Sequence, residues 1–213
     1  MNSGPNRAPQ GGQSKPAATT RDRAVFLKRW LRRPLRMGSI TPSGQALGRA
    51  MARAALQDLP ADHTVIELGA GTGSITRALL AAGLPGQLLV PVELDAELHA
   101  HLASAFPILR PLNGDAARLP ELLATHGVTR VGAVVSSLPL LAMPGPLVEA
   151  IVTGVASILP PGGPLVQFTY GPASPVPPDL MRRLHLEATR GRRIWSNLPP
   201  AVVWRFTRRA GPA

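Results

Sequence analysis

The sequence predicts an α/β fold: a mostly parallel, doubly wound sheet of seven strands with an antiparallel hairpin at one edge. Three observations lead there. Short apolar runs alternate with stretches of helical spacing, which is the pattern of successive strand–helix units. The first such run, Thr64 to Leu68, passes through glycines at 69, 71 and 73 into Ile75, Leu79 and Leu80 at helical spacing, and so reads as strand, tight turn, helix. The last two strand-like stretches have no helix between them, and this predicts the hairpin.

Composition sets the limits. The 213 residues fit one domain with an appendage, enough to bury a core. The chain has no Cys, which excludes disulfides, thiolate nucleophiles and Cys-based metal sites and fits a reducing compartment. The five His are scattered; His99 and His101 share a stretch but have no third ligand near them in sequence, so surface helix positions are expected and no metal. A net charge of +11, with Arg as 21 of the 23 basic residues, favours an anionic partner, either nucleic acid or acidic lipid. Arg enrichment also accompanies GC-rich coding.

In chain order, residues 1–20 are rich in Gly, Pro, Ser, Gln and Asn and read as a disordered tail, without the apolar segment of a secretory signal. Residues 21–37 differ in kind. On a helical wheel Ala24, Phe26, Leu27, Trp30, Leu31 and Leu35 fall on one half and Arg21, Lys28, Arg29, Arg32, Arg33 and Arg36 on the other, with only Arg23 and Val25 misplaced. Such a basic amphipathic helix with aromatic residues on its apolar face suits an anionic membrane interface; a helix packed on its own domain is the alternative. Pro34 ends or kinks it.

From residue 38 to 209 the chain reads as one domain. A helix over 45–56 with Ser43 as N-cap precedes the glycine turn. Residues 87–92 form a second strand ending at Glu93, Leu94 and Asp95, and Asp95 caps a helix over 96–105. Ile108 to Leu112 is a third strand leading to Asp115 and Ala116, followed by a helical piece over 119–125. Val131 to Val135 is a fourth strand ending at Ser136. The uncharged run from Val131 to Val148 raises a transmembrane segment, but Pro139, Pro144, Gly145 and Pro146 break it, so a buried strand, a loop and a helix over 146–158 fit better. Strands over 165–170, 185–195 and 201–208 complete the sheet, with a short helix near 179–184.

Ligands of an open α/β sheet bind beyond the carboxyl ends of its strands, and the distinctive polar groups fall there. Gly69, Gly71 and Gly73 let the backbone approach a ligand. The form Glu67-x-Gly69-x-Gly71-x-Gly73 differs from a dinucleotide fingerprint, which would need glycine where Ser74 stands, and resembles motif I of the S-adenosylmethionine (SAM) dependent methyltransferases. For such a cofactor, Glu93 offers two acceptor oxygens to a vicinal diol, Asp115 can accept from an adenine amine, and Glu67 holds the ammonium or orients the loop. Each acid alone is as readily a cap or a surface group; three at three successive strand ends are a stronger signal.

Further segments resemble one family. Residues 26–44, Ser136-Ser137-Leu138-Pro139-Leu140, Gln167-Phe168-Thr169-Tyr170-Gly171-Pro172 and Asn197-Leu198-Pro199-Pro200-Ala201 are similar to the small bacterial phospholipid N-methyltransferases, over about residues 24–208. The resemblance implies a Rossmann-like class I methyltransferase fold with an N-terminal amphipathic helix. It also implies methyl transfer from SAM, leaving S-adenosylhomocysteine, to phosphatidylethanolamine and its mono- and dimethyl forms, by a peripheral enzyme on the cytoplasmic face of the membrane. On this reading the cofactor residues are Glu67, Gly69, Gly71, Gly73, Glu93, Leu94, Asp115, Ala116 and Ser136. Tyr170 orients the amine or faces the growing methylammonium, with a packing role as its alternative, and Ser136 shapes the approach. Phe26, Arg29, Trp30, Arg32 and Arg33 meet the membrane; a monomer without nucleic acid or metal is expected. The rival is a nucleic-acid enzyme like the rRNA adenine dimethyltransferases, whose catalytic turn reads Asn-(Leu/Pro)-Pro-aromatic and stacks on a flipped base, unlike Ser136 to Leu140 here. A methyltransferase fold retained only as a membrane-binding module is a third class, disfavoured by the intact acids.

Overall fold

The computed structural model describes residues 42–197 and 199–208. The tail over 1–20, the helix over 21–37 with its membrane residues, and Leu198 lie outside the described residues.

The elements follow in the order α1 (Pro42–Leu56), β1 (Thr64–Leu68), α2 (Ser74–Ala81), β2 (Leu89–Glu93), α3 (Ala96–Ala105), β3 (Leu112–Asn113), α4 (Leu119–Thr125), β4 (Val131–Ser136), α5 (Gly145–Ile158), β5 (Pro164–Thr169), α6 (Pro178–Arg183), β6 (Leu186–Ile194) and β7 (Ala201–Arg208). They build a seven-stranded sheet in the order β3-β2-β1-β4-β5-β7-β6. Strands β1 to β5 are parallel, and β7 runs antiparallel to both β5 and β6. The order reverses at β1, with β2 on one side and β4 on the other, so right-handed crossovers put α2 and α3 on one face and α4 and α5 on the opposite one.

The central strands are mostly apolar because both faces are covered: β2 and β4 are buried throughout. On one face Leu47 and Met51 of α1 and Leu79 of α2 join Val65, Val135, Val166 and Val203 in a single core cluster. On α5, Val148, Ile151, Val152 and Val155 are buried.

Three local expectations change. Helix α1 begins at Pro42, so Ser43 lies within its first turn rather than before it. The third strand is two residues long, not five: Leu109 donates its N–H to the Phe106 carbonyl in a turn, Ile108 is 67% exposed, and only Leu112 and Asn113 pair with β2. The second strand starts two residues late, because Gly86–Leu88 form a 3₁₀ turn. The uncharged run from Val131 becomes β4, a 3₁₀ turn at Leu140–Ala142 and the start of α5. No helix among the described residues is long and apolar enough to cross a membrane.

Candidate active site

The site is built at the carboxyl ends of the parallel strands. Leaving β1, the chain takes left-handed conformations at Gly69, Gly71 and Gly73, with φ of 68°, 56° and 78°. The turn is pinned to the neighbouring strand, since the Gly69 N–H donates to the Val92 carbonyl at 2.9 Å. At Gly73 glycine is required twice over: its φ is one that L side chains rarely adopt, and a Cβ there would come within 2.3 Å of the Phe106 ring. At Gly71 an added Cβ would meet nothing nearer than a carbonyl oxygen at 4.0 Å. That position is therefore strained but open, as a backbone that receives a ligand must be.

Glu93, the last residue of β2, is only 1% exposed. Its Oε2 accepts the Gly71 N–H at 2.9 Å and its Oε1 the Asp95 N–H at 3.0 Å, so this one carboxylate ties the glycine turn to the start of α3. Burial pushes its carboxyl up, opposed by the Asp95 and Gly71 N–H groups. A carboxylate has about four acceptor positions, so two bonds leave it capacity for further donors. Asp95 caps α3 as expected, accepting from the N–H groups of Glu97 and Leu98.

Glu67 lies inside β1 and is completely buried. Its Oε2 accepts the Thr76 hydroxyl at 2.6 Å, while Oε1 is buried with no hydrogen-bond partner among the described residues. Burial pushes its carboxyl up to about 8. Asp115 follows β3 and caps the 3₁₀ turn Ala116–Arg118 through the Ala117 N–H at 2.9 Å. Leu94 and Ala116 are half-buried at the same end of the sheet.

Across the switch point, Ser136 ends β4, where it is buried and its Oγ accepts the Leu138 N–H at 3.3 Å. Tyr170 stands one residue past β5, 38% exposed, with its ring edge-on to Phe168 at 5.3 Å. Burial pushes its phenol up, which keeps it protonated in the neutral range. The structure thus ties Gly71 to Glu93 across β1 and β2 and holds Glu67 separately, through Thr76 of α2. Asp115 and Ala116 stand beyond β3, while Ser136 and Tyr170 stand on the other side of β1.

Three supporting residues escape sequence reasoning. Thr76 satisfies one oxygen of Glu67, and the Asn113 amide donates to the Glu93 and Leu94 carbonyls at 2.9 and 3.3 Å. Gln167, 1% exposed, donates from one amide nitrogen to the Leu138 and Phe168 carbonyls, both at 3.0 Å, and so fixes the turn after Ser136; its Oε1 has no hydrogen-bond partner among the described residues. A polar residue inside the apolar run Leu165 to Phe168 was its available signal.

No family model matches the chain. It is 28% identical to the ornithine lipid N-methyltransferase of Singulisphaera acidiphila over 157 residues, which are 71% of this chain and 80% of that protein. It is 40% identical to the ribosomal RNA small subunit methyltransferase A of a Synechococcus species over 109 residues, half of this chain but only 37% of that protein. Among solved structures, the 1,6-didemethyltoxoflavin-N1-methyltransferase of Burkholderia thailandensis, with bound 1,6-didemethyltoxoflavin and S-adenosylhomocysteine, superposes with a TM-score of 0.66 at 16% identity, over 93% of this chain and 94% of that one. The fold is that of the class I SAM-dependent methyltransferases.

Proposed function

We propose that the chain is a lipid N-methyltransferase that moves methyl groups from SAM to the amine of phosphatidylethanolamine and its mono- and dimethyl forms, towards phosphatidylcholine. The observation that carries this is the likeness to a lipid N-methyltransferase along four fifths of that protein's length. The site is compatible with the cofactor: a buried carboxyl with one unpartnered oxygen lies beneath a turn whose Gly71 is open to a ligand. Glu67, Gly69, Gly71 and Gly73 would hold the amino-acid end, Glu93 with Leu94 the ribose, and Asp115 with Ala116 the adenine. SAM supplies an electrophilic methyl group, and S-adenosylhomocysteine is what remains.

The chain's own residues then have to present a neutral amine in line with that methyl group, and positioning supplies much of the rate. Tyr170, neutral and on the rim, orients the amine through its hydroxyl and offers its ring face to the methylammonium product. Ser136 and the turn held by Gln167 shape the approach. No described His stands at the carboxyl end of a strand, and the amine's proton passes to a nearby base or to the substrate phosphate. The enzyme works as a monomer, peripheral on the cytoplasmic face of the membrane, with Phe26, Arg29, Trp30, Arg32 and Arg33 at the interface.

An rRNA methyltransferase is the second reading, favoured by the 40% identity over 109 residues. Radiolabelled SAM supplied with detergent-dispersed phosphatidylethanolamine, ornithine lipid and rRNA in parallel separates them. Label in methylated phosphatidylethanolamine is the expected result. Label in ornithine lipid alone corrects the substrate, and label in rRNA alone overturns the lipid reading.

A further inference from the structure

The positive charge of this protein is not spread over its fold. Residues 42–177 carry six basic and nine acidic side chains, whereas residues 178–208, from α6 to the end of β7, carry seven arginines against two acids. Arg183 is paired with Glu149 at 2.8 Å, but two carboxylates within this segment cannot offset seven guanidiniums. The parallel part of the described domain is therefore mildly acidic and its hairpin edge strongly basic.

The strand register fixes where that charge lies. Ser136 pairs with Gln167, Gln167 with Trp204 and Trp204 with Arg190, so Arg190 is level with the end of β4. Past it the β6 register shifts between Arg190 and Arg193; a Cβ on Gly191 would come within 2.8 Å of the Val203 carbonyl oxygen, which is why glycine stands in this bulge. Arg193 then pairs with Val202, whose other neighbour is Thr169, the last residue before Tyr170. Arg192, Arg193 and Trp195 thus stand at the carboxyl-end rim of the sheet, two strands or about 10 Å from the Thr169 backbone.

Charged side chains on an edge strand are commonly enough to prevent edge-to-edge pairing. That account does not cover Trp195, which is 72% exposed, the most exposed of the large hydrophobic residues described, with Arg193 stacked over its ring at 5.1 Å. An exposed indole among guanidiniums works against solubility and suits the boundary between lipid headgroups and acyl chains.

We propose that Arg190, Arg192, Arg193 and Trp195 form a docking surface for an anionic lipid bilayer, which seats the rim of the active site against the leaflet. This rests on the lipid reading above for its purpose, but on charge, register and exposure for its evidence.

The test uses the full chain and phosphatidylglycerol vesicles. Arg190→Glu, Arg192→Glu and Arg193→Glu together should weaken sedimentation with those vesicles by about tenfold or more, with binding of SAM and methyl transfer in detergent unchanged. Should that triple variant misfold, Trp195→Ala alone should still weaken vesicle binding. In a Trp30→Phe background, brominated phosphatidylglycerol should quench Trp195. Wild-type vesicle affinity in both the triple variant and Trp195→Ala overturns the proposal, as does a loss confined to rRNA binding. Failure of the lipid reading looks different: no lipid is methylated in detergent, whatever the vesicles show.

Discussion

Strand β1 buries four of its five residues, a carboxylate among them, whereas β6 buries none of its nine. The two belong to one sheet and treat charge in opposite ways. In β1 and β2 an acid is taken out of water and held by N–H or hydroxyl donors, Gly71 and Asp95 for Glu93 and Thr76 for Glu67. In β6 the arginines stay in solvent and restrict little of the fold. Buried acids here shape a cradle; exposed charge determines what the molecule approaches.

If that contrast is right, replacement in the parallel half costs most. Glu93→Ala should weaken SAM binding by more than about tenfold, since each charge-assisted bond lost contributes roughly 1.5–3 kcal/mol. It should also lower the melting temperature of ligand-free protein, because Gly71 and Asp95 lose their acceptor. Calorimetry and thermal unfolding check both, and an Ala variant with wild-type affinity would remove the ribose role.

Glu67 sharpens the contrast through pH. Its carboxyl titrates near 4.5 in the unfolded chain and near 8 when folded, so between those values the folded state binds more protons than the unfolded one. Stability of ligand-free protein therefore falls as pH rises through that window, by up to about 1.4 kcal/mol per unit. Glu67→Gln should flatten that fall, gaining on wild type from about pH 5 to about pH 8 in denaturant titrations, because an amide loses no proton in either state. Parallel curves for the two proteins would end the buried-acid account.

The smallest effect belongs to the hairpin. Arg190 stands over the Trp204 ring at 5.9 Å, an exposed cation–π contact of about 0.5–1 kcal/mol, so Arg190→Ala should shift unfolding by no more than that. A larger loss would mean that β6 is held by its charges after all.

Much of this was legible in the sequence, for reasons that vary by element. Asp95 marked the start of α3 because a cap has a fixed offset from its helix, and β1 and β4 stood out as mainly apolar runs. The third strand was misjudged because Ile108 and Leu109 supply apolar character to a turn, and pattern cannot tell a turn's apolar residues from a strand's. The acids at the strand ends could be found by position. Their supports could not, since Thr76 reaches the Glu67 carboxyl, and Asn113 the Glu93 backbone carbonyl, only through tertiary packing.

One consequence of the strand order concerns synthesis. Strand β7 follows β6 in the chain, yet it lies between β5 and β6, and through the Trp204 indole it also donates to Thr169 beside Tyr170 at 3.3 Å. A nascent chain emerging from the ribosome can assemble β1 to β5 early, but β6 has no partner and β5 no outer neighbour until Ala201–Arg208 appears. Until that segment inserts, β5 offers an unpaired apolar edge. Pairing of β6, covering of the β5 edge and completion of the rim at Tyr170 thus become one coupled event, set by the arrival of a single strand.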